Sequence, residues 1–340
     1  MKRKGLSIFA MLALVLVVFV SGCSSSNKGS GSNDGVSVKI LRKQVMVRDD
    51  LTAKKGKKVL AFKVKVKNEA DKKLIFGASD FKLKDSAGNS KSTAIVDFSY
   101  HAKENIKDID VGNMSKGESK TGYVFFDAKP GAKYDLVFKP VLGDKNSTKD
   151  VTVEQQINTA GIKDESTKAQ KAGDAYVQAV FFDNNTSNYK KYVANDLKKD
   201  RTTYDNHAAE QFLNIGGYSM DLSDKESADV MRIYKSVNKK KSDIKTDLVA
   251  MNGKTAVLQI SGKTVKADSV FEKYHDKYSD EGDINLGTLL DQYTDLMDKQ
   301  STKSFMEADL IMKKDGSKWR IVNKGNDYEL VGNIFNGDIL

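Results

Sequence analysis

The stretch that decides the fold is Leu60-Ala61-Phe62-Lys63-Val64-Lys65-Val66-Lys67, in which apolar side chains alternate with lysines and one alanine. Successive side chains of an extended strand point to opposite faces of the sheet. An alternation with period two is therefore typical of a half-buried strand. This pattern predicts a strand with an apolar face against a core and a face in water.

Further strand signals lie on the C-terminal side of this stretch. Phe81 and Leu83 lead into Asp85-Ser86-Ala87-Gly88-Asn89, a cluster typical of a turn. Two aromatic and β-branched stretches follow, Tyr123 to Phe126 and Tyr134 to Phe138, with Pro130-Gly131 between them. No helical period interrupts them, so the sequence predicts an all-β sandwich over residues 36–155. Residues 151–153 are a candidate for its last strand.

Three of these segments together resemble a known domain. They are Phe62 to Asn68, Gly117 to Phe126 and Tyr134 to Phe138. The combination resembles an immunoglobulin-like domain of unknown function that occurs in many lipoproteins of Gram-positive bacteria, over about residues 36–142. The resemblance implies a scaffold, and it gives no reason to expect catalysis. The density of lysine departs from the family pattern.

The second half begins with helical spacing. Ala172, Tyr176 and Val180 share a helix face, and Ser223 with Glu226 makes a capping box before a further helix. Asn252-Gly253 then predicts a hairpin turn between two strands. Leu286 to Met297 forms an apolar stripe, and a hairpin through Lys314-Asp315-Gly316-Ser317 ends the domain. Helices followed by antiparallel hairpins predict an α+β domain over residues 160–340, with helices packed on a curved antiparallel sheet.

The helix Ala172 to Phe181 and the ending Asp315 to Asn323 are similar to a C-terminal lipoprotein domain of unknown function. They resemble, more distantly, the cone of nuclear transport factor 2-like and cystatin-like proteins. That resemblance implies a sheet that often encloses an apolar pocket, and some members of such folds are enzymes. Enzymatic members place His, Asp or Tyr inside the cone.

The first 22 residues are typical of a secretory signal. Lys2, Arg3 and Lys4 precede an apolar run from Leu6 to Val20, which at about 15 residues is short for a bilayer span of roughly 20. The pattern Val20-Ser21-Gly22-Cys23 resembles the lipobox of bacterial lipoproteins. The resemblance implies cleavage after Gly22 and a diacylglyceryl thioether on Cys23. An uncleaved membrane helix with an incidental cysteine is the alternative.

Residues 23–35 contain no apolar residue after the cysteine, and this composition predicts a flexible tether between the lipidated Cys23 and the first domain. The chain has one cysteine, so no disulfide can form within it. Together with the resemblance to a lipobox, these features predict a protein on the outer face of the cell membrane of a Gram-positive type of cell, attached through lipid.

The candidate residues for catalysis or metal binding do not form a known motif. His101, His207 and His275 stand alone, and the acidic run Asp276, Asp280, Glu281, Asp283 does not have the spacing of a calcium loop. The Tyr and Met residues Met231, Tyr234, Tyr293 and Met297 are interpreted as core. We therefore expect no catalytic, metal-binding or cofactor-binding residues, no cofactor, and no enzymatic activity.

Charge is unevenly distributed along the chain. The formal net charge is +10, and the excess of Lys and Arg belongs to the first domain. Its candidate binding residues are lysines that lie close together in sequence: Lys55, Lys57, Lys58, Lys63, Lys65 and Lys67. Outside the cell the available polyanions are anionic lipid and wall polymers, so nucleic acid is not an expected partner. The alternative is that the lysines protect an exposed strand edge and keep the protein soluble.

The sequence therefore predicts a lipid-anchored envelope protein that acts as a binding or structural module. Its expected partners are the membrane, through the anchor, and an envelope polyanion or another envelope protein. A small-ligand carrier and a cone-fold enzyme, each using a pocket in the second domain, are the alternatives. A pocket with converging polar groups would favour the carrier, and an Asp or His in a perturbed environment would favour the enzyme.

Overall fold

The fold is taken from a computed structural model, which describes residues 30–48, 57–96, 106–143, 147–184, 186–214, 223–267, 270, 273, 276–277 and 286–337. The predicted fold class is confirmed in these residues. Strand-rich antiparallel sheets form the first half, and six helices with a curved antiparallel sheet form the second.

Twelve strands are described in the first half. They are β1 (Ser30–Asn33), β2 (Val36–Arg48), β3 (Lys57–Asn68), β4 (Lys73–Phe76), β5 (Phe81–Asp85), β6 (Ser90–Ser92), β7 (Gly112–Met114), β8 (Ser119–Phe126), β9 (Lys133–Phe138), β10 (Val141–Gly143), β11 (Thr148–Asp150) and β12 (Val153–Asn158). Two four-stranded sheets have the orders β11-β10-β4-β7 and β12-β9-β5-β6, and β1, β2, β3 and β8 belong to a larger sheet.

The alternating stretch from Leu60 to Lys67 lies in β3. Leu60, Phe62, Val64 and Val66 are each 0% exposed, and they enter a core with the aromatic rings of the two small sheets. Phe81 and Phe138 stack there with ring centroids 4.2 Å apart. The predicted turn after β5 is also present, because the Asp85 carboxylate accepts hydrogen bonds from the backbone N–H groups of Ala87 and Asn89.

The predicted tether differs from the structure at its C-terminal end. Ser30–Asn33 is a strand that pairs antiparallel with β2, and Asp34 and Gly35 form the turn between them at positive φ. Gly31 approaches the backbone of β12 so closely that a Cβ there would lie 2.6 Å from the Glu154 carbonyl oxygen. The prediction of an irregular chain up to Gly35 is therefore wrong from Ser30 onward, because backbone pairing needs no apolar side chains.

The second half contains α1 (Ser166–Phe181), α2 (Thr186–Tyr192), α3 (Leu197–Asn214), α4 (Asp224–Lys241), α5 (Leu286–Met297) and α6 (Asn326–Asn336). Its strands are β13 (Asp243–Met251), β14 (Thr255–Val265), β15 (Thr302–Asp315) and β16 (Lys318–Ile321), which pair in sequence order, each antiparallel to the next. The capping box is present at the start of α4, where the Ser223 hydroxyl accepts from the Glu226 backbone N–H. Trp319 is 0% exposed and lies in the core between the helices and this sheet.

One sheet runs through both halves. Its order is β16-β15-β14-β13-β2-β3-β8, and Met251 of β13 is the register partner of Val47 of β2. A small core, called here the junction core, covers this seam. Its buried members are Met46, Val59, Ala61, Tyr123, Phe125, Val249, Ala250 and Val257. The face of β3 that was predicted to lie in water is therefore covered at Val59 and Ala61, where Ala94, Val96 and Ile106 pack against the junction core, and it is solvated only further along.

Among the described helices, none combines the length and apolar character that crossing a bilayer requires.

Candidate functional site

The candidate lysines of the sequence separate into different surroundings. Cys23, Gly22 and Lys55 lie outside the described residues. The Lys57 ammonium is 2.5 Å from an Asp127 carboxylate oxygen, so this lysine has an acidic partner. Lys58 is next to Lys57 on the strand, so its side chain leaves from the other face of the sheet, where its ammonium is 2.8 Å from Asp164.

Lys63, Lys65 and Lys67 remain together on one face of β3. They are joined there by two cations of β2 that the sequence analysis did not include, since Lys39 is the register partner of Lys65 and Arg42 is the register partner of Lys63. We call Lys39, Arg42, Lys63, Lys65 and Lys67 the basic face. Lys67 forms an ion pair with Glu69, and Lys63 lies 5.9 Å from the centroid of the Tyr123 ring.

The basic face lies in the interior of a sheet and not at its edge. β3 is flanked on one side by β2 and on the other by β8, along the whole run from Lys63 to Lys67. Like charges that lie directly opposite each other on neighbouring strands are destabilising. Protection of a free strand edge therefore does not account for these lysines, because β3 has both of its edges paired here.

A groove lies at the junction between the two halves, on the other side of the sheet. We call it the junction groove. It has a volume of about 660 Å³ and is lined by Val47, Lys58, Ser166, Thr167, Gln170, Lys171, Asp174, Asp247 and Leu248. Residues 167, 170, 171 and 174 recur at helical spacing, so α1 presents one polar face to the groove.

Gln170 fixes α1 to the strand on the far side of the groove. Its side-chain amide donates to the Thr246 carbonyl oxygen at 2.8 Å, and its carbonyl oxygen accepts from the Leu248 backbone N–H at 2.7 Å. The same amide donates to Asp174 Oδ1 at 2.8 Å. These bonds use backbone groups of β13 that lie before the point where β13 pairs with β2, since that pairing is at Met251.

The carboxyl group of Asp174 has a raised pKa. Burial of the carboxylate is the main cause, and the negative charge of Asp247 adds to it, while hydrogen bonds from Thr246 and Gln170 act in the opposite direction. Two carboxylates therefore face the same groove, and one of them is less readily ionised than an exposed aspartate.

A second group of polar residues lies inside the helical half. Asp200, which is 2% exposed, accepts hydrogen bonds from the Tyr189 hydroxyl at 3.1 Å and the Asn323 amide at 2.7 Å. Burial raises its pKa, and these hydrogen bonds oppose the shift. The hydroxyls of Tyr176 and Tyr328 lie 2.8 Å apart nearby. The cluster resembles the interior expected of a cone-fold enzyme, but Asp200 is enclosed and both of its oxygens are occupied by protein donors.

A buried ion network lies between α3 and α4. The Lys235 side chain is 2% exposed, and its ammonium is 2.6 Å from Asp205 and 3.4 Å from Asp183. It also lies 5.2 Å from the centroid of the Tyr204 ring. A buried ammonium needs such partners, so the network is explained by the burial of the lysine itself.

The remaining sequence candidates are placed as follows. His207 lies on α3 and is exposed, whereas His101, His275 and the acidic positions 280, 281 and 283 lie outside the described residues. The predicted core residues Met231, Tyr234, Tyr293 and Met297 are buried. Within the described ranges, no group of three or more His, Cys, Asp or Glu side chains is arranged to hold a metal ion.

Comparisons with known proteins agree with this two-part layout. A family described as a domain of unknown function, DUF5105, matches residues 159–335, and a second, DUF4352, matches residues 30–149. No match was found among curated proteins.

Two of the similar solved structures come from Bacillus subtilis and Staphylococcus aureus. The crystal structure of ycdA from Bacillus subtilis, described as a putative lipoprotein, matches 90% of this chain and 98% of its own, with 20% identity and a TM-score of 0.61. A structure described as a putative lipoprotein from Staphylococcus aureus matches 40% of this chain and 92% of its own, with 15% identity and a TM-score of 0.25. The likeness to ycdA is one of fold.

Proposed function

This chain belongs to the DUF5105 family, and from that premise we propose that it is a lipid-anchored protein on the outer face of the membrane whose basic face binds a phosphate-bearing polyanion of the envelope. The anchor is proposed at Cys23, with cleavage after Gly22. The observation that carries the binding proposal is the register that sets Lys39 directly opposite Lys65 on interior strands. A polyanion relieves the repulsion that this arrangement creates.

The position of Ser30 supports the proposal. Ser30 of β1 is the register partner of Lys39, so the start of β1 lies beside the basic face. The segment from Cys23 to Ser30 reaches at most about 25 Å when fully extended. An anchor at Cys23 therefore keeps the basic face near the headgroups, where each surface lysine contributes about 1 kcal/mol of attraction to an anionic bilayer.

The charges on the basic face are incompletely compensated. Lys67 pairs with Glu69, whereas Lys39, Arg42 and Lys65 form no ion pair with an acidic side chain of the described residues. These side chains are exposed on the sheet surface. A flat array of exposed cations suits an extended polymer or a headgroup layer better than a small enclosed anion.

The test is co-sedimentation of the chain starting at Ser24 with anionic vesicles, zwitterionic vesicles and purified wall polymer. We expect Lys63→Glu, Lys65→Glu and Lys67→Glu together to weaken binding by about two orders of magnitude, because three lysines contribute about 3 kcal/mol. Binding by the wild type should fall steeply with salt, since exposed charges are screened over about 8–10 Å. The two anionic arms identify the source of the phosphate.

The matched control changes the same net charge elsewhere in the first domain. Lys82, Lys91 and Lys133 are exposed and lie on β5, β6 and β9, away from the basic face. Their replacement by Glu should leave most of the binding intact. Equal losses in the two triple variants would reduce the effect to overall charge, and equal binding by all three proteins would contradict the proposal.

The absence of enzymatic activity stays a prediction. Asp200 is the buried carboxyl group that most resembles a catalytic one, but its oxygens are taken by Tyr189 and Asn323. This arrangement supports a role for Asp200 in holding α2, α3 and the segment after β16 together.

A further inference from the structure

The junction groove has a lining of mixed charge, unlike that of the basic face. We propose that it binds a zwitterion of the amino-acid or short-peptide class that carries an apolar side chain. A volume of about 660 Å³ is within the range of small-molecule sites, roughly 300–1,000 Å³. The groove is bounded by both domains. Val47 and Lys58 belong to the first domain, and the other lining residues lie on α1 and β13 of the second domain.

The acidic side of the groove provides a place for an ammonium group. Both hydrogen bonds recorded for Asp174 go to Oδ1, one from Gln170 and one from Thr246. Oδ2 of Asp174 accepts no hydrogen bond from the described residues. Asp247 lines the same groove and is exposed. An ammonium between the two carboxylates forms charge-assisted hydrogen bonds and relieves their mutual repulsion.

The basic side of the groove provides a place for a carboxylate. Lys171 precedes Asp174 by three residues on α1, so the two side chains are neighbours on one helix face, with about 5–6 Å between their Cβ atoms. Lys58 lines the groove as well, but its ammonium is already paired with Asp164 at 2.8 Å. Lys171 lies 5.9 Å from the Tyr192 ring centroid and forms no ion pair with the described residues. Lys171 is therefore the residue that we expect to contact the ligand carboxylate.

The remaining lining residues favour an apolar body between the two charges. Val47 and Leu248 face the groove from β2 and β13, and Gln170 is held in place by two backbone groups of β13. A polar residue that is fixed before the ligand arrives lowers the entropy lost on binding. The lining contains two acidic and two basic side chains, so it does not favour the polyanion proposed for the basic face.

The experiment is a calorimetric titration, in which three probes are added to the chain starting at Ser24. They are leucyl-leucine, its C-terminal amide, which lacks the carboxylate, and its N-acetyl derivative, which lacks the ammonium. We expect leucyl-leucine to bind at least about tenfold more tightly than either derivative, because a hydrogen bond to a charged group contributes about 1.5–3 kcal/mol.

Variants assign the two ends of the ligand. Asp174→Asn should weaken the binding of leucyl-leucine about tenfold or more and leave the binding of the N-acetyl derivative unchanged. Lys171→Gln should likewise weaken the binding of leucyl-leucine and leave the binding of the C-terminal amide unchanged. Asp247→Asn is a second acidic variant at an exposed position, for use if D174N melts early. Asp150→Asn and Lys133→Gln, at exposed positions outside the groove, are the matched controls.

Three outcomes overturn the proposal. They are no heat of binding with any probe at millimolar concentration, equal affinity for leucyl-leucine and either derivative, and wild-type affinity in D174N, D247N and K171Q. Tight binding that the groove variants reduce and the control variants leave unchanged supports it.

Discussion

Val47 and Met251 are Cα partners in the antiparallel pairing that joins the sheet of the first domain to the sheet of the second. The side chain of Val47 enters the core of the second half, and Met46 next to it enters the junction core. Gln44 adds a hydrogen bond from its side-chain amide to the Asn252 carbonyl oxygen at 3.2 Å. Consecutive residues of β2 therefore contribute to both sides of the domain junction.

The first prediction concerns the boundaries of independently folding fragments. Residues 30–158 should fold alone, whereas residues 36–142 should be much less stable, because the shorter fragment lacks β1 and β12. Val151, Val153 and Ile157 are 1–2% exposed in the core of the first domain, and removal of each such side chain costs roughly 1.5–3 kcal/mol of burial. Urea unfolding followed by circular dichroism measures the difference.

The fragment of residues 159–340 tests the other side of the same boundary. It should fold with mixed α and β signal but expose Val249, Ala250 and Val257, which the first domain covers in the whole chain. We therefore expect it to gain stability when the 30–158 fragment is added. If fragment 36–142 proves as stable as 30–158, the contribution assigned to β1 and β12 is wrong.

The second prediction concerns the pH dependence of stability at Asp200. Its pKa is raised in the folded state, mainly by burial, so the folded protein binds a proton more readily than the unfolded chain does. The contribution of this group to stability is therefore greatest below the unfolded value of about 3.9 and falls as pH rises through the folded pKa. D200N removes the titration. The variant should gain stability relative to wild type as the pH rises over that window.

Denaturant unfolding of both proteins at pH values from about 3.5 to 8 tests this sign. D200N keeps an oxygen to accept from Asn323 and an amide that can donate to the Tyr189 hydroxyl, so it should fold. D150N is the control, because its carboxylate is exposed on β11 and is solvated in both states. A difference between D200N and wild type that stays flat or shrinks with rising pH would contradict the assignment.

The third prediction concerns the anchor. Cys23→Ala should abolish incorporation of a labelled fatty acid, because the chain has no other cysteine to form the thioether. Ser21→Ala keeps a small residue in the lipobox-like pattern and serves as the control that should retain label. The measurement is metabolic labelling followed by fractionation of membranes. Label in C23A at the wild-type level would refute lipidation at this residue.

Local periodicity predicted most of the elements in the described residues. Leu60 to Val66 alternate toward the first core, Ser223 with Glu226 begins α4, and Asn252-Gly253 connects β13 to β14. These signals are local, since each depends on residues within a few positions of one another. β1 was missed because its sequence, Ser30-Gly31-Ser32-Asn33, carries no apolar side chain and is held by backbone pairing and by close approach to β12.

The candidate sites were harder to predict, because they depend on contacts between distant segments. The sequence grouped lysines by their spacing along β3, but Lys39 and Arg42 join them only through the register of β2. Lys58 is not part of the basic face, because its ammonium binds Asp164, which lies more than a hundred residues later in the chain. The junction groove had no sequence signal, since Val47, Asp174 and Leu248 meet only when the two domains share a sheet.

The β1–β2 hairpin has a mechanical consequence. β1 pairs with β2 in antiparallel register from Ser30 and Lys39 to Asn33 and Val36, so tension applied through the start of the chain loads these bonds one after another from the open end. Strands separated in this peeling geometry release at low force. Separation of β1 and its turn from β2 would lengthen the extended chain before β2 by about 20 Å while β2 to β12 stay folded. With the proposed anchor at Cys23, the hairpin would be a reserve of extensible chain between that anchor and β2.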